Sequence, residues 1–364
     1  MIDFNFESLR HIGLTQAIAN RLHALGQPAQ NAHLTRLARI AAIHRDWIAL
    51  HDGGAETKAR ALPRLLEELA ADDTGLAVGD WVLVQTHANG EQCEQWISAR
   101  LAPLTHLARR SQQGQRQPLA SNVDTALLVM GLDHDFNLRR LERYIALVQT
   151  AGVAPVIVLT KADIGGDVAP RLAQLEQRLS HSVPAFALNG LSVDAVRVLA
   201  PWMGAGQTLI LLGSSGAGKS TLTNTLTAGT HASTQKTGGV RSGDDRGRHT
   251  TTARSLHLCP GGACIIDTPG LRSLHLDADE EALAASFADI DALAADCQFR
   301  DCRHVAEPGC AVRTAVDPDR LFNYQKLLRE ARRSQQTPLD RIAERKRWKV
   351  VLKAADARTR QKWE

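Results

Sequence analysis

The residues Gly213-Ser214-Ser215-Gly216-Ala217-Gly218-Lys219-Ser220 fit the pattern GxxxxGK[ST] without a gap. The apolar run 207–212 precedes them and a helix-like stretch 221–227 follows. That order, a buried strand, a glycine turn and a helix N-terminus, is what a phosphate-binding loop requires. Gly213, Gly216 and Gly218 let the backbone curl until successive N–H groups converge on phosphate oxygens. Lys219 adds a point charge at the β- and γ-phosphates, and Ser220 offers a hydroxyl to Mg²⁺. A plain glycine-rich turn would explain the glycines, but not the Lys-Ser pair between a strand and a helix.

A second motif, Thr160-Lys161-Ala162-Asp163, follows the apolar run 154–159. At the carboxyl end of a parallel strand, where ligands bind, an Asp can accept both the N1–H and the exocyclic amine of guanine, a pair that adenine cannot present. The Lys161 stem would lie along the base plane. A third strand, 183–188, ends in Ala187-Leu188-Asn189-Gly190, where a backbone N–H is expected to add a base contact; Ala187 stands where Ser is usual. Downstream, the strand 261–266 runs into Asp267-Thr268-Pro269-Gly270. There Asp267 can hold a Mg²⁺-bound water and Gly270 can turn its N–H to a γ-phosphate, which makes the loop a nucleotide switch. Between the phosphate loop and this switch lies a glycine- and arginine-rich segment ending in His249-Thr250-Thr251-Thr252. By spacing to the next strand, Thr251 is expected to complete the Mg²⁺ shell.

Cys297-x4-Cys302-x-His304-x5-Cys310 brings three thiolates and one imidazole into a short span. Three sulfurs and a nitrogen suit tetrahedral Zn²⁺, and four protein ligands leave no open position, so one structural ion per chain is expected. The bland alternative is three free thiols beside an unrelated His, but Pro308-Gly309 supplies the turn that returns the last ligand. Cys93, Cys259 and Cys264 read as small core hydrophobes.

These motifs need a frame, and 364 residues exceed what one hydrophobic core usually serves, so two or three domains are expected. The 44% apolar and 23% charged residues fit a globular protein without a membrane span, and the formal charge of +4 is modest. With no secretion signal at the N-terminus, the six cysteines argue against a disulfide framework and for a cytoplasmic protein. Residues 1–34 read as an amphipathic helical lead through Leu14, Ile18, Leu22 and Leu25. Residues 35–105 read as a β-barrel, with runs 37–44, 47–51, 81–86 and 95–101 separated by turn signals. Trp47, Trp81 and Trp96 could stack on bases there, although core packing is the better use. The Arg, Gln and Ser of 106–122 predict a mobile linker. From 123 to 275 strand and helix alternate, giving a mostly parallel α/β sheet. In that domain the base-reading motif precedes the phosphate loop, the reverse of an ordinary GTPase, so the domain is circularly permuted, a rearrangement that cuts only an exposed loop. Residues 276–364 read as a helical zinc-binding domain whose basic arm, beyond a break at Thr337-Pro338, suits an RNA backbone.

The barrel, the order TKAD before GSSGAGKST before DTPG, and the Cys/His cluster together resemble the RsgA (YjeQ) family of small ribosomal subunit biogenesis GTPases over about residues 35–330. The resemblance implies an OB-fold barrel, a GTPase domain and a zinc domain, and a role in late maturation of the 30S subunit with GTP hydrolysis stimulated by it. It carries over a GTP site of Thr160, Lys161, Ala162, Asp163, Ala187, Leu188, Gly213, Ser214, Ser215, Gly216, Ala217, Gly218, Lys219, Ser220, Thr221 and Gly270, with Mg²⁺ at Ser220, Thr251 and Asp267. It also implicates His249 in catalysis; the competing use is rRNA contact together with Arg246 and Arg248. Leu271 stands where many GTPases place a water-orienting Gln, so slow intrinsic turnover is expected. The expected partners are the 30S subunit, its 16S rRNA and GTP or GDP, with no membrane, for a monomer. Two rivals remain: a GTP-controlled RNA-binding assembly factor that does not hydrolyse, and a P-loop ATPase or kinase, against which Asp163 argues.

Overall fold

The computed structural model describes residues 5–24, 35–89, 92–111, 115–179, 183–228, 254–269, 277 and 280–335. The lead forms two short helices, α1 (Phe6–Arg10) and α2 (Gln16–Ala24). Asn5 caps the first by accepting from Ser8 N at 3.2 Å. Leu9, Ile12, Leu14, Ile18 and Leu22 are buried, so the lead is bound into the main core.

A closed barrel follows, built from β1 (Thr35–Ile43), β2 (Ile48–His51), β3 (Glu56–Ala61), β4 (Trp81–Asn89) and β5 (Gln92–Arg100), with the helix α3 (Pro63–Ala71) between β3 and β4. The ring closes because β1 pairs with both β2 and β4. Leu65 and Leu69 of α3 plug one core with Ala38, Ile40, Leu50, Val82, Val84 and Ile97. Trp81 is fully buried, as core packing requires. Trp47 is only half-buried and stacks on His44 at 3.9 Å between ring centroids.

Residues 106–122 correct the linker reading: β6 (His106–Arg110) and β7 (Arg116–Ser121) pair as an antiparallel hairpin. The polar composition concealed Leu107, Ala108, Leu119 and Ala120, which are buried, while Arg110 and Arg116 pair with Asp277 at 2.7 and 2.5 Å.

The α/β region runs β8 (Thr125–Gly131), α4 (Leu138–Thr150), β9 (Ala154–Thr160), α5 (Val168–Arg178), β10 (Ala185–Ala187), α6 (Asp194–Leu199), β11 (Thr208–Leu212), α7 (Lys219–Leu226), β12 (Ser255–Leu258) and β13 (Cys264–Asp267). Strands β10-β9-β8-β11-β13 are parallel neighbours in that spatial order, and β12 is antiparallel to β13. The phosphate-loop strand β11 is thus central in space yet late in the chain, the arrangement a permuted domain must have. At Ala42↔Ser255, β12 also pairs with β1, so barrel and α/β sheet are continuous over eleven strands.

Four helices complete the described chain: α8 (Glu280–Ser286), α9 (Ala288–Ala294), α10 (Ala311–Ala315) and α11 (Pro318–Gln335). The last docks on α4, where the buried Glu142 carboxylate accepts from Asn323 Nδ2 at 2.6 Å and pairs with Arg178 at 2.9 Å. Arg143 and Glu330 close the same interface. Among the described residues no helix is long and apolar enough to cross a membrane. The basic arm lies outside them.

Candidate nucleotide site and metal cluster

The carboxyl ends of the parallel strands carry the predicted motifs, because every strand in that row points the same way. Gly213 leaves β11 so close to β8 that a Cβ would stand 2.2 Å from the Val129 carbonyl oxygen; only glycine fits. Gly218 caps α7 in the left-handed region at φ 90°. The Lys219 ammonium is buried and donates to the Gly213 and Ser214 carbonyls at 3.1 and 2.7 Å. Burial pushes its pKa down to about 8, while Asp267 and Asp135 pull it upward.

The base-reading motif touches the phosphate loop directly. Thr160 Oγ1 donates to the Ala217 carbonyl at 2.6 Å. Lys161 turns the chain at φ 63°, and its Nζ donates to Asp133 at 2.6 Å. Asp163 stands exposed just beyond β9. Asp267, fully buried, ends β13, and Thr268 Oγ1 anchors the chain after it to the Leu211 carbonyl at 2.7 Å. His249, Thr251, Gly270 and Leu271 lie outside the described residues.

Ala187 is the last residue of β10, and the Leu188 side chain is buried in the core beneath α6 and α7. The Leu188 carbonyl accepts from the Ala162 amide of the base-reading motif at 3.4 Å, and beyond this pair Asn189-Gly190 turns toward α7: a Cβ on Gly190 would stand 3.9 Å from Thr221, and its carbonyl accepts from Thr225 Oγ1 at 2.7 Å. The strand end, set by pairing of Ala187 with Leu159, is the signal that separates these two pairs.

The ligand atoms of Cys297, Cys302, His304 and Cys310 all lie within 4.8 Å of one another. The Cys297 and Cys310 sulfurs are 3.9 Å apart, and His304 Nδ1 is 3.6 and 3.4 Å from them. A tetrahedral ion with Zn–S bonds of about 2.3 Å has sulfurs roughly 3.8 Å apart, so the donor set fits one zinc ion. Supporting contacts absent from the sequence reading hold the frame. Glu307 accepts from the Arg303, Val305 and Ala306 amides, and Gln325 Nε2 of α11 donates to the His304 carbonyl at 2.7 Å. Cys259 and Cys264 are buried as expected, whereas Cys93, paired with Ala88 in the β4–β5 ribbon, is exposed and not in the core.

A family model for RsgA GTPase matches residues 102–277. Small ribosomal subunit biogenesis GTPase RsgA of Xanthomonas euvesicatoria pv. vesicatoria (strain 85-10) is 44% identical over 320 residues, 86% of this chain and 85% of its own. The chain belongs to the RsgA family. It is accordingly a GTP-hydrolysing enzyme. RsgA of Xanthomonas axonopodis pv. citri (strain 306) gives the same 44% over 320 residues, 86% of this chain and 85% of its own. In fold, the chain is similar to YjeQ from Thermotoga maritima, with TM-score 0.59 and 23% identity over 82% of this chain and 99% of that one. It is also similar to YloQ, described as a circularly permuted GTPase, with TM-score 0.54 and 21% identity over 85% of this chain and all of that one.

Proposed function

We propose that the chain hydrolyses GTP during late maturation of the small ribosomal subunit, binding the 30S particle and its 16S rRNA in one nucleotide state and leaving it in the other. The single observation behind the site assignment is the contact of Thr160 with Ala217, which fastens the guanine-reading motif to the phosphate loop. Asp163 would accept from the guanine edge, the curled amides of Gly213 to Ser220 would bind phosphate, and Lys219 would turn from its two carbonyls to the β- and γ-oxygens. The base-side loop would begin at Ala187 and Leu188, whose backbone already meets the base-reading motif where the Leu188 carbonyl accepts from the Ala162 amide at 3.4 Å. Ser220 and Asp267 supply the oxygen donors that Mg²⁺ prefers, with Thr251 as the further ligand; when bound, the ion neutralises charge on the transferring phosphoryl group. His249 is the internal candidate to orient the attacking water, since Leu271 has no hydrogen-bonding group. Zinc at Cys297, Cys302, His304 and Cys310 would brace the C-terminal helices without taking part in the reaction. The names of the relatives support the subunit as partner, and a cytoplasmic monomer goes with that reading.

The test is hydrolysis of GTP and of ATP by the purified protein, with and without 30S subunits, at two salt concentrations. Slow GTP-specific turnover, raised by subunits and lowered by salt, is expected. Turnover indifferent to subunits would remove the ribosome from the account. In the same assay Asp163→Ala should cut the preference for GTP over ATP by at least about tenfold, the effect of losing hydrogen bonds to a charged acceptor. Unchanged preference would displace Asp163 from the base site.

A further inference from the structure

The loop 132–137 between β8 and α4 matches no nucleotide motif, yet its two carboxylates reach both of the motifs that do. Asp135 accepts a hydrogen bond from Ser214 Oγ, the second residue of the phosphate loop, at 2.5 Å. The same carboxylate accepts from the Gly131 amide at 3.1 Å and is paired with Arg140 in the first turn of α4. Asp133 takes the Lys161 ammonium at 2.6 Å and the Asp135 amide at 3.0 Å. An anion beside a polyphosphate site opposes binding unless its charge is offset and its geometry is useful. Here Arg140 offsets the charge. What Asp135 then offers the phosphate loop is a fixed acceptor.

That acceptor constrains the loop where constraint matters. Phosphate is bound by backbone amides, so the loop must already hold its curl, and each molecule with another loop conformation lowers the apparent affinity in proportion. Glycines at 213, 216 and 218 permit the curl but cannot enforce it. The Ser214 hydroxyl, held from outside the loop, can. We infer that Asp135 is a positioning residue of the nucleotide site: through Ser214 it holds the phosphate loop in its binding conformation, while Asp133 keeps Lys161 beside it. The loop 132–137 thereby presents the base-reading and phosphate motifs as one unit. This inference rests on the proposed assignment of the GTP site.

A double-mutant cycle on the full chain tests it, read by binding of fluorescent GDP and GTP analogues and by steady-state kinetics. Ser214→Ala and Asp135→Ala should each weaken binding about tenfold, the worth of one hydrogen bond to a charged group. The double variant should bind no worse than Asp135→Ala alone, because the two changes remove one contact. Asp135→Asn keeps one acceptor oxygen for the two donors that its carboxylate serves, the Ser214 hydroxyl and the Gly131 amide, so it should bind between the unaltered protein and Asp135→Ala. Ser214→Ala should raise KM while leaving kcat at saturating GTP within about twofold. If Asp135 serves only its own turn through Gly131 and Arg140, Ser214→Ala will bind at full strength or the two losses will add, and either result overturns the inference. Should Asp135→Ala not fold, Ser214→Ala and Asp135→Asn decide the matter alone. Failure of the unaltered protein to bind GTP would sink the site assignment and this inference with it, whereas normal binding with uncoupled variants sinks the inference only.

Discussion

Lys219 sits at the point where burial and charge oppose each other. Its ammonium is pushed down to about 8 by burial, with Asp267 and Asp135 pulling upward. A bound phosphate would restore a high pKa, so above pH 8 binding must take up a proton. Nucleotide affinity is therefore expected to be flat below about pH 8 and to fall above it, by up to about tenfold per pH unit, until the pKa of the complex is reached. GDP titrations from pH 7 to 9.5 measure this. Lys219→Arg, which keeps its charge throughout that range, should show no break; a break that persists in it would mean another group titrates. Lys219 and Asp163 stood out in the sequence as motif residues, because a phosphate loop and a guanine-reading motif each dictate residue type and spacing together. Asp133 and Asp135 were not, since a side chain that reaches a motif across the sheet obeys no spacing. The stretch Ala187-Leu188-Asn189-Gly190 was legible as a whole, but where strand gives way to loop within it was not, because only pairing fixes that point.

Among the described elements, the Cys/His turn carries a donor set that fits one zinc ion. Its residues touch the core through Cys297, Cys302 and Cys310, and Gln325 of α11 ties it by donating to the His304 carbonyl. Chelation, or Cys310→Ser, should release one zinc ion per chain and lower stability by several kcal/mol, since metal binding free energy becomes folding free energy. Metal analysis and thermal unfolding together measure this. Nucleotide affinity should persist, because the phosphate loop belongs to another element; affinity lost in step with zinc would refute a purely bracing role. The ligand spacing of this element was readable without a structure. The hairpin β6–β7 was not, because a composition rich in Arg, Gln and Ser describes a linker equally well until Leu107 and Leu119 are seen to be buried. Strand β3 was hidden similarly: of its six residues only Ala59 is buried.

In the whole molecule, lead, barrel and α/β domain meet at Arg39. It is fully buried on β1 and donates to the Ile12 carbonyl of the lead, the Gly79 carbonyl ahead of β4 and the Asn122 carbonyl after the hairpin, at 2.5, 3.2 and 3.1 Å. Its guanidinium lies 5.6 Å from the Trp81 ring. Burial lowers its pKa, while Cys264 on β13, Asp124 and Asp80 pull it back, so the cation is held among groups from every part it joins. Arg39→Met would fill the space but leave three carbonyls and nearby carboxylates without their donor. A loss of about 3–5 kcal/mol is expected, the usual effect of removing one partner from a buried charged network. The consequence for cooperativity is specific. One core runs from Leu9 through Trp81 and Ile266 to Leu327, and Ala42↔Ser255 joins the two sheets. Urea unfolding followed by tryptophan fluorescence and by nucleotide binding should therefore give coincident midpoints, both lowered together in Arg39→Met. A shift confined to one of the two signals would mean that the chain does not unfold as one unit, and an unshifted pair would mean that the carbonyls find other donors.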